Sequence, residues 1–189
     1  YQSERAWVWE QQAITRARFC AGDPTIGAAF EKERERILRL QRNVPPLLEE
    51  VLAMRHKMHD GHPNTSDLFD IKHDQGGMVD IEFIVQTLVL RFSHDYPVLT
   101  GNLGNIALLR IAGELGLIDA GLAERVGNAY REFRRRQHAE RLSGAGSARV
   151  AQDVFAKERE DVQKLWQVVF ADAPVTIRDL QSIHEQARP

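Results

Sequence analysis

Apolar side chains recur at three- and four-residue intervals along most of this chain, a spacing that gathers them on one face of a helix. Residues 3–19 set Trp7, Ile14 and Ala17 in that rhythm, and Gly22-Asp23-Pro24 breaks it. Asp23 then suits the cap of a second helix with Pro24 at its first position, carrying Ile26, Phe30, Ile37 and Leu40 through the charges of FEKERERILRL as far as 43–46. Pro45 and Pro46 mark the start of a third, striped by Leu48, Val51, Leu52 and Met58 and closed by Asp60-Gly61-His62-Pro63. A fourth segment, 79–94, is apolar on nearly every side, as a central buried helix would be. Spans over 103–115 and 120–141 follow; Gly116 stops the first, and the second runs from Asp119 to the SGAGS turn at 143–147. A last pair over 153–171 and 176–187 has Asp153 and Thr176 as caps. Alternating, β-branched runs bounded by turns are missing from the sequence. The expectation is an all-α fold, a bundle of about eight helices in one domain over 1–189.

Composition narrows the class. The length suits one core, and 43% hydrophobic with 28% charged residues excludes a low-complexity chain. Lys+Arg 25 against Asp+Glu 27 leaves a net charge of −2, so no global basic field points to nucleic acid. Cys20, the single cysteine, has no partner for an internal disulfide, and no apolar run is long enough to cross a membrane. A reducing, cytoplasmic compartment is expected. The chain opens on Tyr1 within helical sequence, which suggests a fragment of something longer.

Residues 61–77 form the longest irregular stretch, and FDIKHDQGGMVDIEFIVQ carries it into the fourth helix. Gly76 and Gly77 free the backbone to aim amides at an anion at a helix start, with Lys72 adding charge; equally, they only break the chain. Asp80 and Glu82 could position Mg²⁺ or simply complement the helix dipole. Arg16 and Arg18, near the end of the first helix, could clamp phosphates or suit its negative terminus. Tyr130, Arg134 and His138 fall at i, i+4 and i+8 and stack a phenol, a guanidinium and an imidazole on one face. The neighbouring REFRRRQ run reads as a solvated face. His56, His59 and His62 recur every three residues, but Gly61 and Pro63 disrupt the series as a zinc site.

Taken together, WEQQAITRAR, MRHKM and FDIKHDQGGMVDIEFIVQ resemble the glutamine synthetase adenylyltransferase/adenylyl-removing enzyme family. The resemblance runs from residue 1 to 171 through Leu90-Arg91, Pro97-Leu99-Thr100, Asn105, the Tyr130-Arg134-His138 face, Phe155, Glu158-Arg159, Val162 and Trp166. The family has two homologous halves, each a nucleotidyltransferase head followed by a helical domain, and GGMVDIEF looks like the carboxy-terminal, adenylylating half. Gln11 departs from the usual His or Arg after Trp-Glu. The resemblance implies transfer of AMP from ATP to a tyrosine of glutamine synthetase, with Mg²⁺ held by an Asp-x-Asp in the head; no such motif occurs here. It therefore implies the helical domain after the head, inactive alone, with residues 1–20 as the connecting helix and 61–78 as a functional loop. Two readings remain open. Either Lys72, Gly76, Gly77, Asp80, Glu82, Arg16, Arg18 and Arg134 serve the nucleotide, metal or catalysis, or the domain docks glutamine synthetase or the PII signalling protein, or senses glutamine.

Overall fold

The computed structural model describes residues 6–173. The chain is predominantly helical, with seven α-helices among the described residues: α1 Val8–Ile14, α2 Pro24–Leu38, α3 Val44–Asp60, α4 Met78–Phe92, α5 Asn105–Glu114, α6 Ala120–Leu142 and α7 Ala156–Val169. A 3₁₀ turn spans Pro97–Thr100. The expected helix over 176–187 and its cap Thr176 lie outside the described residues.

Local chemistry sets the helix ends. The Asp23 carboxylate accepts the Thr25 N–H at 2.7 Å, the expected cap, and Asp119, expected just before α6, caps it by accepting the Leu122 N–H at 2.7 Å. Helix α1 ends at Ile14 rather than 19, because Arg34 takes over its last carbonyls. The Arg34 guanidinium donates to Ile14 O at 3.1 Å, Thr15 O at 3.1 Å and Thr100 O at 2.8 Å. Arg42 does the same between α2 and α3, donating to the carbonyls of Ile37, Leu38, Leu40 and Leu90. Burial lowers its guanidinium to about 10. Helix α7 starts at Ala156, capped not by Asp153 but by Phe155 at φ 66, whose ring sits edge-on to Phe133 with centroids 5.2 Å apart.

Helix α4 is the axle of the bundle and packs against α1, α3, α5, α6 and α7. Its apolar circumference requires that: Val79, Ile81, Ile84, Val85, Leu88, Val89 and Leu90 are all buried. At the α5–α6 crossing, a Cβ on Gly113 would stand 3.0 Å from Ala120 Cα, so the missing side chain sets the approach. One strand pair was not expected. Phe69–Asp70 (β1) and Arg149–Val150 (β2) pair antiparallel, Phe69 opposite Val150 and Asp70 opposite Arg149. Two residues are too short to display a period of two in sequence.

Candidate functional site

The 61–77 loop folds back on the start of α4 through its own side chains. Asp70 Oδ1 accepts the N–H groups of Lys72 and His73 at 2.9 and 3.0 Å, and Asp74 Oδ2 accepts Asp70 N–H and Asn64 Nδ2, both at 2.7 Å. Met78 and Val79 N–H then donate to the carbonyls of Ile71 and Lys72. His73, stacked on His62 with ring centroids 4.2 Å apart, is lowered in pKa, chiefly by burial and against the pull of Asp70. On the loop's outer side lies a cleft of about 610 Å³, lined by Asp60, Asn64, Asp74 and Gln152 among others.

Both glycines are demanded by close packing. Gly76 has φ +81, and a Cβ there would stand 3.0 Å from Arg159 O; one on Gly77 would stand 2.6 Å from Ile71 O. Their amides, expected to face an anion, point inward instead: Gly76 N–H donates to Asp80 Oδ2 at 2.6 Å and Gly77 N–H to Asp74 O at 3.0 Å. Asp80 is committed in the same way. Its Oδ1 accepts Arg55 Nε at 2.6 Å, while Arg55 Nη2 reaches His73 O at 2.9 Å. Burial raises the Asp80 pKa, and the charge of Arg55 followed by the Gly76 amide pulls the other way. The sequence reading missed Arg55, although a signal existed: it extends the apolar stripe Leu48, Val51, Leu52 by three positions.

Glu82 takes the other direction. Tyr130 OH donates to Glu82 Oε1 at 2.9 Å, and the Arg134 guanidinium lies 6.0 Å from the Tyr130 ring centroid. The Tyr130 pKa is raised by burial first and then by the Glu82 charge. Lys72, in the loop, accepts Val79 N–H at its carbonyl at 3.1 Å, and its ammonium has no hydrogen bond or ion pair among the described residues. The structure thus brings Glu82, Tyr130 and Arg134 together, and gives Glu82 and Asp80 different partners. Among the described residues no three His, Cys, Asp or Glu side chains gather to hold a metal ion. His138 is exposed, and the arginine run pairs locally: Arg131 with Asn128, Arg135 with Glu132, Arg136 with Glu140.

Arg16 and Arg18 stand elsewhere. Arg16 Nη1 donates to Asn105 Oδ1 at 2.6 Å, at the first residue of α5, and Arg18 is exposed.

Two family models match the chain: glutamate-ammonia ligase adenylyltransferase over residues 1–33, and GlnD PII-uridylyltransferase over residues 47–170. It is 62% identical over 173 residues to the bifunctional glutamine synthetase adenylyltransferase/adenylyl-removing enzyme of Aromatoleum aromaticum, covering 92% of this chain and 18% of that protein. The enzyme of the same name from Bordetella bronchiseptica is 55% identical over 175 residues, 93% of this chain and 19% of its own length. That of Nitrosomonas europaea is 52% identical over 184 residues, 90% and 20%. The chain therefore spans 18–20% of the length of these relatives.

Proposed function

The chain belongs to the glutamine synthetase adenylyltransferase/adenylyl-removing enzyme family, and from that premise we propose that it is the helical domain beside the nucleotidyltransferase head of a longer enzyme. In that reading the enzyme transfers AMP from ATP to a tyrosine of glutamine synthetase, its other half removes it, and this chain lies in the adenylylating half, in the cytoplasm, with glutamine synthetase and the PII signalling protein as partners. The observation that supports it most is the 62% identity to the named Aromatoleum aromaticum relative over 173 residues, 92% of this chain.

In this reading the domain has a limited part. Lys72, with its uncommitted ammonium, and Arg134 offer positive charge to a nucleotide phosphate, and Glu82 and Tyr130 orient Arg134. Asp80, Gly76 and Gly77 hold the loop in shape. Mg²⁺ does not fit between Asp80 and Glu82, because one carboxylate is spent on Arg55 and Gly76 and the other on Tyr130. The metal is left to the head, so this chain alone transfers no AMP.

The test is made in the full-length enzyme. Lys72→Ala should lower kcat/KM for ATP by roughly ten- to a hundred-fold, the worth of one charge-assisted contact, with Tm unchanged. Glu82→Gln keeps the shape and removes the charge; its loss should be indifferent to added Mg²⁺, whereas rescue by Mg²⁺ would return the metal to this domain. Wild-type rates for both variants at subsaturating ATP would leave the loop without a part in the reaction.

A further inference from the structure

Helix α5 begins without a cap. Its N-cap position is Gly104, no side chain accepts from its first turn, and that turn holds no acid. The amides of Asn105, Ile106 and Ala107 are therefore open donors at the positive end of the helix dipole, while Leu108 N–H closes on Gly104 O at 3.1 Å. Nothing lies within 4 Å of where a Gly104 Cβ would stand, so the approach is clear.

A second observation points to a ligand there. Asn105 is only 3% exposed, yet its Nδ2 has no partner. Its orientation is fixed, since Oδ1 accepts from Arg16 Nη1 at 2.6 Å. A buried amide donor beside three open backbone donors and a guanidinium lacks one thing, an acceptor. Asn102 Nδ2 donates to Ala17 O at 3.3 Å, which holds the loop before α5 against the residue between Arg16 and Arg18. Glu31, on α2, is engaged elsewhere: it accepts Phe19 N–H at 3.0 Å and lies 3.6 Å from Arg34.

We propose that the N-terminus of α5, with Asn105, Arg16 and Arg18, is a binding site for a phosphate-class oxyanion, separate from the Lys72–Glu82 face and independent of whether that face serves adenylyl transfer. Backbone donors and a fork-shaped guanidinium match the tetrahedral, multiply charged oxygens of a phosphoryl group.

Amide NMR of the 189-residue chain, titrated with inorganic phosphate at constant ionic strength, reads the site directly. Saturable shifts are expected at the amides of Asn105, Ile106 and Ala107 and at the Asn105 side chain. Asn105→Asp, which keeps the partner of Arg16 but sets a carboxylate against the anion, should abolish them; Arg16→Gln should raise Kd about tenfold. Arg18→Ala, at an exposed position, serves as the second variant if a melt shows Asn105→Asp to be unfolded, and should raise Kd several-fold. Pyrophosphate and ATP, titrated separately, identify the source: tighter binding of ATP names the nucleotide, and equal or weaker binding names the free anion. Equivalent shifts with chloride, no shifts at α5, or an unchanged Kd in every folded variant would each overturn the proposal.

Discussion

Replacing Arg55 by methionine tests what holds the loop against the bundle. The Arg55 and Asp80 side chains are each only 8% exposed and meet at 2.6 Å, and Arg55 also reaches His73 O at 2.9 Å. Methionine fills much of the same space but leaves Asp80 buried with the Gly76 amide as its remaining donor. Breaking one side of a buried pair costs about 3–5 kcal/mol, a large part of the roughly 5–15 kcal/mol available to a domain, and for a chain of this size lowers Tm by about 6–20 °C. The sign with pH follows from Asp80, whose folded pKa is raised by burial. A carboxyl that binds its proton more tightly when folded contributes most below its unfolded pKa of about 3.9, and that contribution is lost as pH rises through the folded value. Removing Arg55 takes away the chief opposing pull, so the variant should lose stability more steeply above about pH 4 than the parent. Urea unfolding followed by circular dichroism at several pH values measures both effects. Arg55→Met/Asp80→Asn, which neutralises the stranded acid, should recover a large part of the loss. A single-variant cost below about 1 kcal/mol, or a double variant no better than the single, would refute the reasoning.

Gly76→Ala should cost about 1–3 kcal/mol by denaturant titration, from its positive φ and the nearby Arg159 carbonyl, whereas Gly104→Ala, with φ −73 and open space, should stay within about 0.5 kcal/mol. Absorbance at 295 nm should show Tyr130 ionising above the ordinary tyrosine range, and Glu82→Gln should bring it down by removing a neighbouring charge. Since the folded pKa is the higher one, the stabilising contribution of Tyr130 is lost as pH rises through that range. Helical signal should dominate the far-ultraviolet spectrum, with negligible sheet from two paired dipeptides.

Periodicity made the helices legible because each buries one stripe, and Asp23, Asp119 and Gly116 marked their ends by side-chain chemistry that acts within a few residues. The early end of α1 was not legible, because Arg34 reaches its carbonyls from 20 positions away. The site divides along the same line. Tyr130, Arg134 and His138 follow from helical spacing alone, but Glu82 reaches Tyr130 across 48 positions. Gly76-Gly77 before a helix reads as an anion cradle when only neighbours in sequence are considered. The Arg159 backbone that excludes a Cβ at Gly76 belongs to α7, and Asp80, which takes its amide, is also paired with Arg55 from α3. Asn105 was noticed only through resemblance, since an amide without an acceptor is a property of packing.

The two-residue ladder between β1 and β2 carries a consequence for the order of assembly. It joins stretches about eighty residues apart, and closing a loop of that length costs roughly 4 kcal/mol of chain entropy, more than a few backbone hydrogen bonds return. The ladder therefore forms only after α4, α6 and α7 have packed and shortened the effective loop, late in folding, whereas α5 and α6, joined by a short turn, meet early. Late formation and early release are the same property in reverse. The amide of Ile71, bonded to Ala148 O at 3.0 Å, should therefore exchange with solvent by local opening before those of α4, a difference that amide exchange followed by NMR reads directly.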